Sequence, residues 1–282
     1  MIQPEKKEYR TSTYLLIFFV LIAVLVIIFS IVYYTNDKER YRITIENQLK
    51  AIAELKVGEI VQWRKERLGD GQIFYKNDVF TELVKRYFKD QNDSDAKERI
   101  LAWIEQICTA YNYNSVMLLD TQFTKRILVP EISDRPKASI SPNSIDSLNS
   151  GKIVFEDFYY NEVFQKIFLK MFVPVLDVKN NNQLIGSLEL RIDPEIYLYP
   201  LIKNWPIPTN TAETMIALRE GNEAVFLNET RFQKNTALRL RIPLDNKEIL
   251  VVKAVLGEIG FAEGLDYRGK KVIGYICPVP GS

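Results

Sequence analysis

The chain has 282 residues with 37 Lys and Arg against 36 Asp and Glu, a formal charge of +1, so no basic field exists to hold nucleic acid and a polyanion partner is not expected. It contains no histidine, which removes Ser/His/Asp and Cys/His nucleophile pairs, His-based zinc sites and any phosphoaccepting histidine at once. Catalysis by these residues is therefore not expected, and neither a cofactor nor a metal is assigned.

After a short N-terminus, 1–13, expected on the cytoplasmic side, Leu15 to Tyr34 is a run of twenty uncharged, almost wholly apolar residues. At about 1.5 Å per residue it makes a helix of roughly 30 Å, the thickness of a bilayer's hydrocarbon core. A cleaved signal peptide would have a shorter apolar core and end in small residues, whereas this run closes on Val32, Tyr33 and Tyr34. Residues 14–35 therefore read as an uncleaved transmembrane helix, and no later run approaches the roughly 18 residues of a second span. Lys6, Lys7 and Arg10 before it and Lys38, Arg40 and Arg42 after it leave the charge bias nearly neutral, but large downstream domains cross largely regardless of charge.

Residues 36–70 read as a long stalk helix continuing out of the membrane, with Ile45, Leu49, Ile52, Ile60 and Trp63 near one face. That face either packs on its own domain or pairs with a second copy. Gly69, Asp70 and Gly71 end it. A helix near Asp78 to Lys89 follows, and Asp95 with Glu98 gives a capping-box-like start for another through Tyr111. Cys108 lies on that helix's apolar face with Ile100, Ile104 and Ile107, as a buried inert thiol. It is not expected to form a disulfide with the distant Cys277.

The period then changes to that of strands: Ser115 to Leu119 and Arg126 to Val129 around a turn, a loop over Pro130 to Gly151, then Ile153 to Tyr160, Lys166 to Leu176 and Leu184 to Ile192. The turn KNNNQ, Lys179 to Gln183, joins the last two. Asp193 and Pro194 form a helix-start signal, cap then proline, for a helix to Asn204. Residues 71–204 thus form a membrane-distal domain, and Pro206 and Pro208 mark a linker. Residues 205–282 repeat the plan in smaller form: Thr214 to Arg219 with Ala224 to Asn228, a helix near Lys247 to Leu256, and Gly260 to Leu265 with Lys271 to Val279. Phe172 to Val175 in the first half is echoed by Ile276 to Val279 in the second. The second half lacks the strand that follows the echo in the first, so the expectation is of a fragment continuing with one more strand and a second span.

The fold class expected is α+β, a transmembrane helix running into a long helix and then two PAS-like antiparallel-sheet domains in tandem. RIDPEIYLYPLIKNWPIPTNTAET from Arg191 to Thr214, VFLNE from Val225 to Glu229, and GLDYRGKKVIGYICPVPGS from Gly264 to Ser282 resemble the double Cache ectodomains of bacterial membrane-bound sensor histidine kinases, which often carry PAS domains further along. The resemblance covers the chain from the anchor to its end. It implies a small-molecule pocket in the distal domain and a histidine kinase beyond residue 282 acting on a cytoplasmic response regulator. It also implies a homodimer in the bacterial inner membrane, with residues after 35 extracytoplasmic. Related ectodomains sit on chemoreceptors and cyclic-di-GMP enzymes. One departure stands out: the spaced Tyr, Arg, Trp, Tyr, Asp pattern of amino-acid-binding double Cache domains does not lie on Tyr111 to Asp177, so an amino-acid ligand is not supported.

Strand alternation puts Asp157 with Tyr159, Phe168 and Phe172 with Lys170, and Ser187 and Glu189 with Arg191. Aromatics with a few convergent charges make Asp157, Tyr159, Lys170, Phe172 and Arg191 the candidate ligand-binding residues; an exposed sheet face with cross-strand ion pairs would read the same way. Trp63, Arg64 and Arg67 could reach a ligand, though Trp63 reads first as packing against the sheet. Asp266 to Gly269 reads as a hairpin turn, and Trp205 as a plug between the domains. The rival classes are an extracytoplasmic enzyme working through carboxylates alone and an assembly protein without a small ligand.

Overall fold

The computed structural model describes residues 6–131 and 140–281, with side chains from Tyr14 onward. It falls into two compact units, one ending at Ala51 and one beginning at Ile52. Helix α1, Lys6–Gln72, is continuous through both. In the first unit every side chain from Tyr14 to Tyr34 is exposed, and the helix is long and apolar enough to cross a membrane.

The second unit begins with the rest of α1, followed by α2 (Asp78–Lys89) and α3 (Ser94–Ala110). Then come β1 (Ser115–Asp120), β2 (Lys125–Val129), α4 (Pro142–Asn149), β3 (Val154–Asn161), β4 (Lys166–Asp177) and β5 (Gln183–Ile192). The five strands form one antiparallel sheet in the order β2-β1-β5-β4-β3. Both long strands at its centre are hydrophobic on alternate residues, so each face has its own core. On one face Leu169, Met171, Val173 and Val175 of β4 and Leu188, Leu190 and Ile192 of β5 meet Trp63 of α1, Phe80 and Val84 of α2, and Ile100 and Ile104 of α3. On the other, Met117, Leu119 and Phe172 meet Leu148 of α4.

Three expectations are corrected here. The segment Pro130 to Gly151, read as a loop, contains α4, started by Ser141, whose hydroxyl accepts from the Ser144 N–H, with Pro142 at the first position. The cap of α3 is Asp93 rather than Asp95: its carboxylate accepts from the Ala96 N–H and is held by Arg86 at 2.9 and 3.0 Å. Helix α5 spans Leu198–Lys203, later than Asp193 and Pro194 suggested, because the Asp193 carboxylate closes a local turn on the Glu195 N–H and the Tyr199 N–H reaches back to Pro194 O.

After α5 the chain forms β6 (Ala217–Glu220), β7 (Glu223–Phe226), β8 (Arg241–Pro243), α6 (Leu250–Val255), β9 (Gly260–Leu265) and β10 (Lys271–Ile276). The expected hairpins β6-β7 and β9-β10 are present, but they lie in separate sheets, and β8 adds a third strand beside β7. This region has its own core of Ala224, Phe226, Ile242, Leu244, Val251 and Val252. It is tied back by the Tyr199 hydroxyl, which donates to Leu227 O at 2.6 Å, and by Arg64, which donates to Gly281 O. Buried Lys56 of α1 donates to Leu201 O at 2.6 Å, at the end of α5 where the helix dipole favours a cation.

The junction of α2 with the end of β4 carries an acid-sensitive ion pair. The Lys85 ammonium, 2.7 Å from Asp177, holds that carboxyl below the usual carboxylate range. Its stabilisation is therefore present above the unfolded-state value of about 4 and is lost as pH falls through the lower folded-state value. Asp177→Asn is expected to be less stable than the wild type at neutral pH, with the difference shrinking as pH falls below the unfolded-state value of about 4. A difference that stays constant across an acid titration of unfolding would remove the ion pair as its source.

Candidate functional site

The face of the five-stranded sheet opposite α1 to α3 carries the charge. Alternation along β4 brings Phe168, Lys170 and Phe172 to this face, and register places Lys170 beside Glu156 of β3 and Arg191 of β5. Phe172 stands beside Glu189, and Ser115 of β1 beside Arg191. Lys170, Glu189 and Arg191 are 4%, 1% and 2% exposed, so this is not a solvent-facing ladder of ion pairs. The Arg191 Nη2 donates to Glu189 Oε1 at 3.3 Å. The Lys170 ammonium stands 4.2 Å from the Tyr159 ring centroid, and the Arg191 guanidinium packs on Phe164 and Phe168 at 5.6 and 5.7 Å.

Of the sequence candidates, Tyr159, Lys170, Phe172 and Arg191 come together on this face. Asp157 does not. The pairing of β3 with β4 shifts between Glu156, opposite Lys170, and Tyr159, opposite Phe168. One extra residue is accommodated there, a bulge, and strict alternation fails across it. Glu156 and Tyr159 both turn toward the polar face, while Asp157 is exposed and accepts only from its neighbour's N–H, Phe158. Asp157→Ala is accordingly expected to change unfolding free energy by less than about 0.5 kcal/mol. A larger loss in denaturant unfolding would mean that Asp157 makes a contact this geometry does not provide.

Glu189, Ser115, Ser187 and Glu156 are the residues sequence reasoning does not single out. Alternation places Ser187 and Glu189 beside Arg191, but only the fold shows Glu189 buried, with Met117 and Phe172 on its two sides and Lys170 and Arg191 one position along. Trp63, Arg64 and Arg67 belong elsewhere. Trp63 stacks edge-on against Phe155 at 6.0 Å in the helix-side core, Arg64 covers the same ring, and Arg67 pairs with Asp70 at 3.3 Å. Asp266 is a turn residue, accepting from the Arg268 and Lys270 N–H groups. Trp205 is half-buried.

Burial dominates the electrostatics. It pushes the Glu189 carboxyl up, against the pull of Lys170 and Arg191, and pushes the Lys170 ammonium down, against Glu189 and Glu156. Burial likewise pushes the Tyr159 hydroxyl up to about 12, partly offset by Arg191. Each buried ion carries a desolvation cost of several kcal/mol that one 3.3 Å pair does not offset. Such costs concentrate at functional sites. The hydrogen-bond inventory agrees: among the described residues nine buried side-chain polar atoms lack a partner, and six are on this face, namely Ser115 Oγ, Tyr159 OH, Ser187 Oγ, Glu189 Oε2, and Arg191 Nε and Nη1. Buried polar groups are almost always paired, so six such atoms in one place set this face apart from the rest of the described residues. Among the described residues no group of three or more Cys, Asp or Glu is placed to hold a metal ion.

Solved structures share this architecture. The ligand-binding domain of the amino acid chemoreceptor PctB of Pseudomonas aeruginosa, in complex with L-Gln, superposes with a TM-score of 0.55 at 16% identity, over 84% of this chain and 86% of that one. The α+β fold is the one this domain has. The PctC domain of the same organism, in complex with GABA, gives 0.53 at 17% identity over 84% and 94% of the two chains. The CtaA domain of Pseudomonas fluorescens, in complex with L-serine, gives 0.52 at 12% over 82% and 89%. No family model and no curated protein matches the sequence. In this fold the five-stranded sheet presents its enclosed charges on the face away from α1 to α3.

Proposed function

We propose that the chain is the ligand-sensing region of a membrane-bound signalling receptor, anchored by residues 14–35 in a bacterial inner membrane with the residues after 35 outside the cytoplasm. The observation that carries this reading is the buried set Lys170, Glu189 and Arg191, with its unpartnered polar atoms, on one face of a Cache-type sheet. In this reading residues 71–204 sense and residues 205–282 form the membrane-proximal domain. A small ligand on the polar face shifts the sheet between two states, by no more than its difference in affinity for them. Helix α1 passes that bias on, since it runs unbroken from the apolar stretch to Trp63 in the core. Two copies pair through the stalk.

The output module favoured by the motif resemblance is a histidine kinase beyond residue 282, acting on a response regulator. A chemoreceptor is the second reading, favoured by the similar structures, which are chemoreceptor domains.

Topology and sensing are tested separately. With the native cysteines replaced, Lys179→Cys, at an exposed turn of the sheet, is expected to react with a membrane-impermeant maleimide in intact cells. Reaction only after permeabilisation overturns the orientation. The full chain in lipid nanodiscs is expected to gain thermal stability from at least one compound in a panel of small acids, amines and sugars. A flat panel counts against sensing.

A further inference from the structure

We infer that the polar face of the five-stranded sheet binds a small carboxylic acid that carries no ammonium group beside its carboxylate. The inference rests on the sensing reading above and concerns what is sensed.

The unpartnered atoms on this face are Arg191 Nε and Nη1, the hydroxyls of Ser115, Tyr159 and Ser187, and one carboxylate oxygen, Glu189 Oε2. Arginine nitrogens only donate, and each hydroxyl has one proton to give. Among these unpartnered atoms many donors thus stand against a single obligate acceptor. A carboxylate is the complement, because its oxygens only accept and match an arginine fork.

An ammonium group is the opposite case. It only donates, and the acceptor available to it, Glu189, already bonds Arg191 at 3.3 Å and registers between Met117 and Phe172, one position along from Lys170 and Arg191. A third cation there would meet two like charges in a desolvated place, where repulsion is least screened. The other carboxylate of the face, Glu156, already accepts from the Ser141 N–H at 2.9 Å. Burial also pushes the Glu189 carboxyl up, against the pull of Lys170 and Arg191, so the face is a poor place for a further charge that depends on Glu189 as its counter-ion.

The walls give the acid a carbon body. Phe164, Phe168 and Phe172 flank the charges, with Tyr159 over Lys170. Apolar rings favour an organic acid over inorganic phosphate or sulfate.

Matched pairs that differ in the ammonium group test this on the full chain in nanodiscs: propionate against L-alanine and succinate against L-aspartate, with methyl propionate and inorganic phosphate as controls. Propionate or succinate is expected to raise the melting temperature, and its amino-acid counterpart, the ester and phosphate are not. Arg191→Gln is expected to weaken the acid by about tenfold or more, whereas Glu189→Gln, which removes a negative charge beside the bound carboxylate, is expected to tighten it. Should Arg191→Gln fail to fold, Lys170→Gln takes its place with the same expected loss. Binding of L-alanine or L-aspartate in preference to the acids, lost on Glu189→Gln, overturns the inference and leaves sensing intact. Phosphate binding without the acids overturns it too. No response to any of these compounds also overturns it, and if the wider panel is flat as well the sensing reading falls with it.

Discussion

Phe80→Ala is expected to lower the stability of the unit beginning at Ile52 by about 3–5 kcal/mol. Phe80 is fully buried in the first turn of α2, where Asn77 caps the helix by accepting from the Phe80 N–H at 3.0 Å. Its ring meets Phe74 edge-on at 4.8 Å and Trp103 at 5.8 Å. Removing it deletes the centre of a three-ring cluster joining the end of α1, α2 and α3, and the neighbouring rings are too rigid to refill the space. Denaturant unfolding of the full chain in detergent measures the loss. Phe80→Leu should recover a large part of it, and an alanine variant weakened by less than about 1 kcal/mol would mean that α2 closes over the cavity.

The second large effect is expected at Gly186. A Cβ at this position of β5 would stand 2.5 Å from Leu119 O on β1, with a Phe88 ring carbon at 3.1 Å. The obstruction is a backbone carbonyl in the ladder between two central strands, so a side-chain rotation does not relieve it. Gly186→Ala is expected to cost about 1–3 kcal/mol, toward the upper end because strands must separate. It should also raise amide hydrogen exchange in β1 and the start of β5 while leaving α6 to β10 unchanged. A loss below about 0.5 kcal/mol with unaltered exchange would show that this end of the sheet yields.

Much of the sheet is legible in the sequence because its strands keep a two-residue period between strong turn signals, and KNNNQ fixes the β4-β5 connection almost to the residue. Helix α2 is legible for the same kind of reason, with Asn77 and Asp78 at its start and an apolar face at helical spacing. Helix α4 is not: eight residues, PNSIDSLN, with one fully buried side chain, Leu148, have the composition of a loop. Strand β8 is only three residues long and ends on Pro243, so no period exists to read. In the candidate site the charged residues of β4 and β5 follow from alternation, because those strands pair regularly over the relevant stretch. Asp157 is misplaced by alternation because a bulge is decided by the partner strand, and β3 has nothing in its own sequence to announce the extra residue. That Glu189 and Arg191 are enclosed rather than solvent-facing depends on what lies over them, which no strand pattern records.

The bulge in β3 has a second consequence. This strand is one of the two open margins of the sheet, and an open margin invites a strand from a neighbouring molecule to add to it. The irregular step between Glu156 and Tyr159 breaks the regular run of backbone donors and acceptors, and exposed Asp157 adds a charge there. A straight incoming strand can match only part of such a margin. The irregularity that turns Glu156 and Tyr159 inward therefore also guards the protein against sheet-to-sheet aggregation.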